Sequence, residues 1–160
     1  MNVLDVLKYG HQTVLQTINN LPQTDWDTGG VCGVWSVKDI MAHLASFERL
    51  LVDILGTFLG QPSTPYLDRY LEAGPLLFND TEVARRKEKT VAETLAEYNE
   101  QQAQTMKLVA RIPAETWRQV STLPWYGPEY ALDDFIVYSY YGHKREHCAQ
   151  IAVFRDQIGR

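Results

Sequence analysis

The sequence predicts an all-α, single-domain protein spanning residues 1–160, a four-helix bundle with a long crossover between helices two and three. Three observations carry this. Apolar residues recur at steps of three and four in four separate stretches, the spacing of one helical face. Proline and glycine mark the ends of those stretches. The connection after the second stretch is too long for a hairpin turn, yet long enough to run back along the bundle.

The first helix is read from Val3 to Leu21, where Leu4, Leu7, His11, Val14, Ile18 and Leu21 share a face before Pro22 ends it. Ser36-Val37-Lys38-Asp39 then offers a capping box: the Ser36 hydroxyl can accept a first-turn N–H while Asp39 reaches back to the cap. The second helix follows through Ile40, His43, Leu44, Phe47, Leu51, Ile54 and Phe58 to Gly60 and Pro62. From Gln61 to Asp80, the prolines at 62, 65 and 75 and Gly74 mark the crossover, with at most a short helix inside it. About twenty extended residues reach roughly 66 Å, whereas a helix of about 24 residues is about 36 Å long. Helices two and three can therefore run parallel.

A third helix, in one piece or two, is placed over Thr81 to Ile112, with Thr90-x-x-Glu93 as an internal cap. Its inward residues are Val91, Leu95, Tyr98, Met106 and Val109, and Pro113 closes it. Pro113 to Tyr130, with Trp117, Pro124, Trp125, Gly127 and Pro128, is predicted to be an ordered aromatic loop. The fourth helix carries the stripe Leu132, Ile136, Tyr140, His143, His147, Ile151 and Phe154. Leu21-Pro-x-x-x-Trp26 and Ile112-Pro-x-x-x-Trp117 echo one another. The echo suits a duplicated hairpin, and two ordinary helix stops would give the same pattern.

Fifteen Lys and Arg against twenty Asp and Glu give a net charge of −5, with no long basic block. That balance argues against nucleic-acid binding through counterion release. Met1 to Leu7 lacks the basic flank and unbroken apolar run of a secretion signal, and no segment reaches membrane-spanning length, so a cytoplasmic location without a membrane partner is expected. Cys32 and Cys148, far apart in sequence, are expected to remain thiols there.

The residues able to carry chemistry are histidines. His143 and His147 stand four apart on a predicted helix, which sets their Cβ atoms about 6 Å apart on one face. That face is the core stripe between Tyr140 and Ile151, and two imidazoles in a core need partners. A hydrogen-bonded core pair would satisfy them; a shared metal ion accounts better for the i, i+4 spacing. His43, flanked by Ile40 and Phe47, supplies a third imidazole from helix two. Three neutral imidazoles suit zinc best, with nickel or iron also compatible, and leave a coordination position open for water or substrate. His11 is assigned to the core or to a supporting role beside the site.

His143-Lys-Arg-Glu146-His147 also spells H-x-x-E-H, an inverted zinc-protease signature. Only thirteen residues follow His147, which leaves no room for the downstream acidic ligand that such proteases need. Glu146 and Glu48 are the candidate acid or base residues, and for each a solvated carboxylate on a helix surface is the plainer reading. Cys148 lies about 100° around the helix from His147 and reads as a buried thiol. Trp35, Trp125, Tyr126 and Tyr130 either line a pocket mouth or plug the bundle ends.

Trp35-Ser36-Val37-Lys38-Asp39-x-x-x-His43-Leu44 and His143-x-x-x-His147-x-x-Gln150-Ile151 resemble the two motifs of the DinB/YfiT-like superfamily of metal-binding proteins. The resemblance extends over essentially the whole chain. Trp-Ser-Val-Lys-Asp and Phe78-Asn79-Asp80 look closest to its ClbS/DfsB-like branch. The superfamily implies an up-down-down-up bundle and a divalent metal ion on one histidine of helix two and two of helix four, and its members frequently form homodimers. Some members use the metal to activate a low-molecular-weight thiol, and the ClbS-like branch includes a protein that protects cells from a genotoxic metabolite.

Two functions follow as expectations. One is a metal-dependent transferase or hydrolase acting on a small electrophilic substrate, with a thiol as co-substrate. The other is a metal-independent small-molecule binding protein of stress protection. A third, a nucleic-acid-associated damage-response role, rests on the superfamily's name and is opposed by the acidic balance.

Overall fold

In the computed structural model, which describes residues 2–160, Val3–Ile18 form α1, Val37–Thr57 α2, Pro65–Ala73 α3, Pro75–Ala84 α4 and Val91–Val109 α5. Leu132–Ile136 form α6 and His143–Gln157 α7, joined without a break by a π-helical turn over Val137–Gly142. The protein is all-α: among the described residues there is no strand, only two isolated bridges. The chain divides into two compact units, residues 20–108 and the remainder.

In the unit formed by residues 2–19 and 109–160, α1 packs along α7 and the π turn. At Gly10 the two helices are in contact: a Cβ there would lie 3.4 Å from the Tyr141 ring. Arg155 of α7 closes the C-terminus of α1 by donating to the Thr17 and Asn19 carbonyls at 2.7 and 2.8 Å. Leu7, Val14 and Ile18 are buried as expected, but Leu4 is exposed and Val3 takes the inner position. The loop before α6 is ordered: the Ser121 hydroxyl donates to the Pro128 carbonyl at 2.6 Å, and Arg118 holds both oxygens of buried Asp133 at 3.0 Å.

In the unit of residues 20–108, α3 and α4 both pack against α2. The capping box at Ser36 forms as the sequence requires: Asp39 N donates to Ser36 Oγ at 3.2 Å and Ser36 N to Asp39 Oδ2 at 3.1 Å. Ser36→Ala removes one of these partners and is expected to cost about 1 kcal/mol of unfolding free energy, measurable by urea denaturation. The second box forms too, between Thr90 and Glu93, and starts α5 at Val91.

The crossover departs from expectation. It holds two helices, and Thr81 lies inside the second of them instead of starting the third bundle helix. Pro65 and Pro75, read as loop markers, occupy the first turns of α3 and α4, where the missing N–H costs nothing. Gly74, at φ +78°, turns the chain between them. The decisive partner is remote in sequence: buried Asp53 of α2 accepts from Tyr66 N at 2.6 Å and Leu67 N at 3.2 Å, capping α3 and pinning it to α2.

The proline–tryptophan echo has a matched local structure, since Pro22 and Pro113 each precede a 3₁₀ turn with nearly identical backbone angles. Its two tryptophans diverge. Trp26 is buried and donates to the Leu21 carbonyl, whereas Trp117 lines a surface cleft.

Candidate metal centre

His143 opens α7 and His147 follows one turn later, their rings 4.7 Å apart at 60°. The two Nε2 atoms face each other at 2.9 Å. At its other nitrogen, His147 Nδ1 meets Gln150 Oε1 at 2.8 Å, a contact that assigns the N–H to Nδ1. The Ser139 backbone hydrogen-bonds the His143 ring and favours its protonated form, as a carbonyl acceptor does. With each ring donating to such an oxygen, two Nε2 lone pairs point at one another, an arrangement that calls for a proton or a cation between them.

Protonation is the expensive answer. Burial, then the neighbouring His147 and Lys144, push His143 down to about 4; burial also lowers His147, against Gln150 and Glu146, which act the other way. Near neutral pH both rings are therefore uncharged, the form in which imidazole binds metal. Uncharged imidazoles with a free ring nitrogen fit a divalent metal ion.

The π turn runs directly into the first of these residues, His143. Such turns add a residue to a helix and recur at functional sites. Here the turn ends at Gly142, where a Cβ would come within 3.3 Å of the Val137 carbonyl oxygen. The periodic stripe in the sequence carries no mark of it, because Tyr140, His143 and His147 remain three and four apart.

His43 belongs to the unit of residues 20–108. It is 1% exposed on α2, clasped between Trp35 at 5.0 Å and Phe47 at 4.7 Å between ring centroids. Phe47 meets Tyr70 and Phe78 edge-on, so the two crossover helices support the ring that supports His43. Phe78 is visible in the sequence as part of a motif; Tyr70 is not, since nothing in its spacing sets it apart from an ordinary helix face.

Other candidates separate clearly. Glu146 is exposed, as a surface carboxylate. Glu48 corrects the surface reading: it is 0% exposed and accepts from the Thr105 hydroxyl at 3.4 Å, because residue 48 falls on a wholly buried arc of α2. Cys148 is buried, and burial pushes its thiol up. His11 is half-buried on α1. Trp125 and Tyr126 pack on Phe135, with Tyr130 against Tyr126, as a plug of the loop onto α6. Trp35 lines a cleft of about 280 Å³ with Cys32, Val34, Leu76 and Asn79. Gln150 stood in the sequence motif without a role, and the structure supplies one as the partner of His147.

A family model of the DinB superfamily matches residues 7–151. The chain belongs to the DinB superfamily. No functionally curated protein matches the chain. Metal binding is frequent in the DinB superfamily, in keeping with the histidine chemistry of this member. Among the described residues, no helix is long and apolar enough to cross a membrane.

Proposed function

We propose that His43 joins His143 and His147 on one divalent metal ion, zinc by preference, and that this DinB protein is a metal-dependent transferase or hydrolase of small electrophiles, with a low-molecular-weight thiol as co-substrate. The observation that carries the reading is the pair of facing Nε2 atoms 2.9 Å apart, each on a ring whose other side is already engaged. Each of the three histidines offers one ring nitrogen as a ligand. His43 adds a buried imidazole held between two aromatic rings, a support that keeps a ligand in orientation. When bound, such an ion supplies Lewis acidity and lowers the pKa of a water or thiol it holds.

The chain's own residues have narrower tasks. Gln150 fixes the tautomer of His147 and leaves Nε2 as the donor atom. Trp35, packed on His43, forms one wall of the 280 Å³ cleft and offers a substrate an apolar approach beside exposed Val34 and Leu76. Gln150→Ala is expected to weaken metal affinity about 10- to 100-fold, read by competition with a chromogenic chelator. Unchanged affinity would remove Gln150 from this role.

Turnover tests the enzymatic half. Zinc-loaded protein without an affinity tag, given an aryl halide and a small thiol, is expected to consume both, and His147→Ala to lose that turnover. Equal turnover in the variant would overturn the mechanism. The cleft itself favours a second reading, a metal-independent binding protein, because its lining contains none of the three histidines. A ligand that binds metal-free protein equally well and is recovered intact would decide for it.

A further inference from the structure

Away from the histidines, the unit of residues 20–108 gathers its charge into one network. Arg86, 4% exposed, donates to Glu82 Oε2 at 2.8 Å, to the Glu82 carbonyl at 3.0 Å, to Glu97 at 2.8 and 3.1 Å and to the Tyr66 hydroxyl at 3.0 Å. Its five N–H groups are thereby used. Arg49 and Lys89 add charge around Glu97, and Arg69 and Arg85 around Glu82. A pocket of about 360 Å³ opens on this network, lined by Arg49, Tyr66, Arg85 and Lys89 above the buried Glu82, Arg86 and Glu97.

The lining is not neutral. Four cations face two carboxylates, a surplus of two positive charges, in a chain whose formal charge is −5. Two cations would suffice to balance the buried glutamates. Two other carboxylates of this unit are committed elsewhere: Asp53 caps α3, and Glu93 accepts from Thr90 N.

The surplus also carries unused donors. Arg49 gives Glu97 its Nε alone, and among the described residues neither of its Nη groups makes a hydrogen bond. Arg85 stands 3.7 Å from Glu82 and likewise makes no side-chain hydrogen bond there. The Tyr66 hydroxyl accepts from Arg86, which leaves its own proton to donate. Two guanidinium forks, an ammonium and a phenol around one concavity match a tetrahedral oxyanion.

We propose that this pocket binds a phosphate dianion, free or as the head of a small monoester. The site is independent of the metal reading. Calorimetric titration of the metal-free full chain with inorganic phosphate is expected to give saturable one-to-one binding, and phenyl phosphate in a parallel arm separates monoester from free anion. Arg85→Gln, whose side chain is mostly exposed, is expected to keep the phosphate-free melting temperature and to weaken phosphate about 10-fold or more. Tyr66→Phe is expected to weaken it less. His147→Ala is expected to bind phosphate like the parent chain, so that failure here and failure of the metal site are told apart. Absence of saturable binding, equal affinity in Arg85→Gln, or equal affinity for acetate would overturn the proposal.

Discussion

Glu97→Ala is expected to lower the unfolding free energy by about 3–5 kcal/mol, because it takes from a buried guanidinium one of its two carboxylate partners. Arg86 is nearly inaccessible, and Glu97 accepts two of its hydrogen bonds while also taking Arg49 and Lys89. Deleting the carboxylate takes the shared partner from Arg49, Arg86 and Lys89 and leaves Glu82, which Arg69 and Arg85 also engage, as the one carboxylate of the cluster. The loss is far larger than an exposed ion pair of similar geometry would show, typically under about 1 kcal/mol. Urea denaturation of the variant beside the parent chain measures it; a change below about 1 kcal/mol would mean that water or a neighbour relieves Arg86.

The same residue sets an acid limit. Burial pushes the Glu97 carboxyl up, but hydrogen bonds from Arg86, Lys89 and Arg49 outweigh it and hold the group at about 2. Its folded pKa thus lies below the ordinary value of 4.5, so the unfolded chain takes up the proton first. Its contribution is full above that ordinary value and drains away as the pH falls from 4.5 toward 2. Stability of the parent chain is expected to fall through that window, and the Glu97→Ala chain to show a shallower decline.

His147→Ala is expected to abolish stabilisation by zinc. A ligand that binds only the folded chain adds about 2.7 kcal/mol when present at a hundred times its dissociation constant. The parent chain should therefore melt several degrees higher in excess zinc, while the variant, with one member of the facing nitrogen pair gone, should melt at one temperature with or without metal. Zinc-dependent stabilisation of equal size in the variant would place the ion elsewhere.

Local signals survived well from sequence to structure. Both capping boxes, at Ser36 and Thr90, form with the partners their spacing demands, since such bonds close within one turn. The i, i+4 pair at 143 and 147 faces as predicted for the same reason. What the sequence hid depends on residues far apart. Asp53 caps a helix that starts twelve residues later, and that contact turns a proline-rich stretch from apparent loop into α3. Glu48 looked like a surface acid because a single helix face cannot announce that a whole turn of α2 is enclosed. The π turn escaped because the added residue leaves the three-and-four rhythm intact across it. The Arg86 network draws on α2, α3, α4 and α5 and has no linear motif at all.

Metal content, determined by elemental analysis on protein prepared without an affinity tag, is the most direct test of shared coordination by helices α2 and α7. The parent chain should retain close to one divalent ion per molecule after dialysis, and His43→Ala close to none. A His43→Ala protein that keeps its full complement of metal would contradict the three-histidine centre.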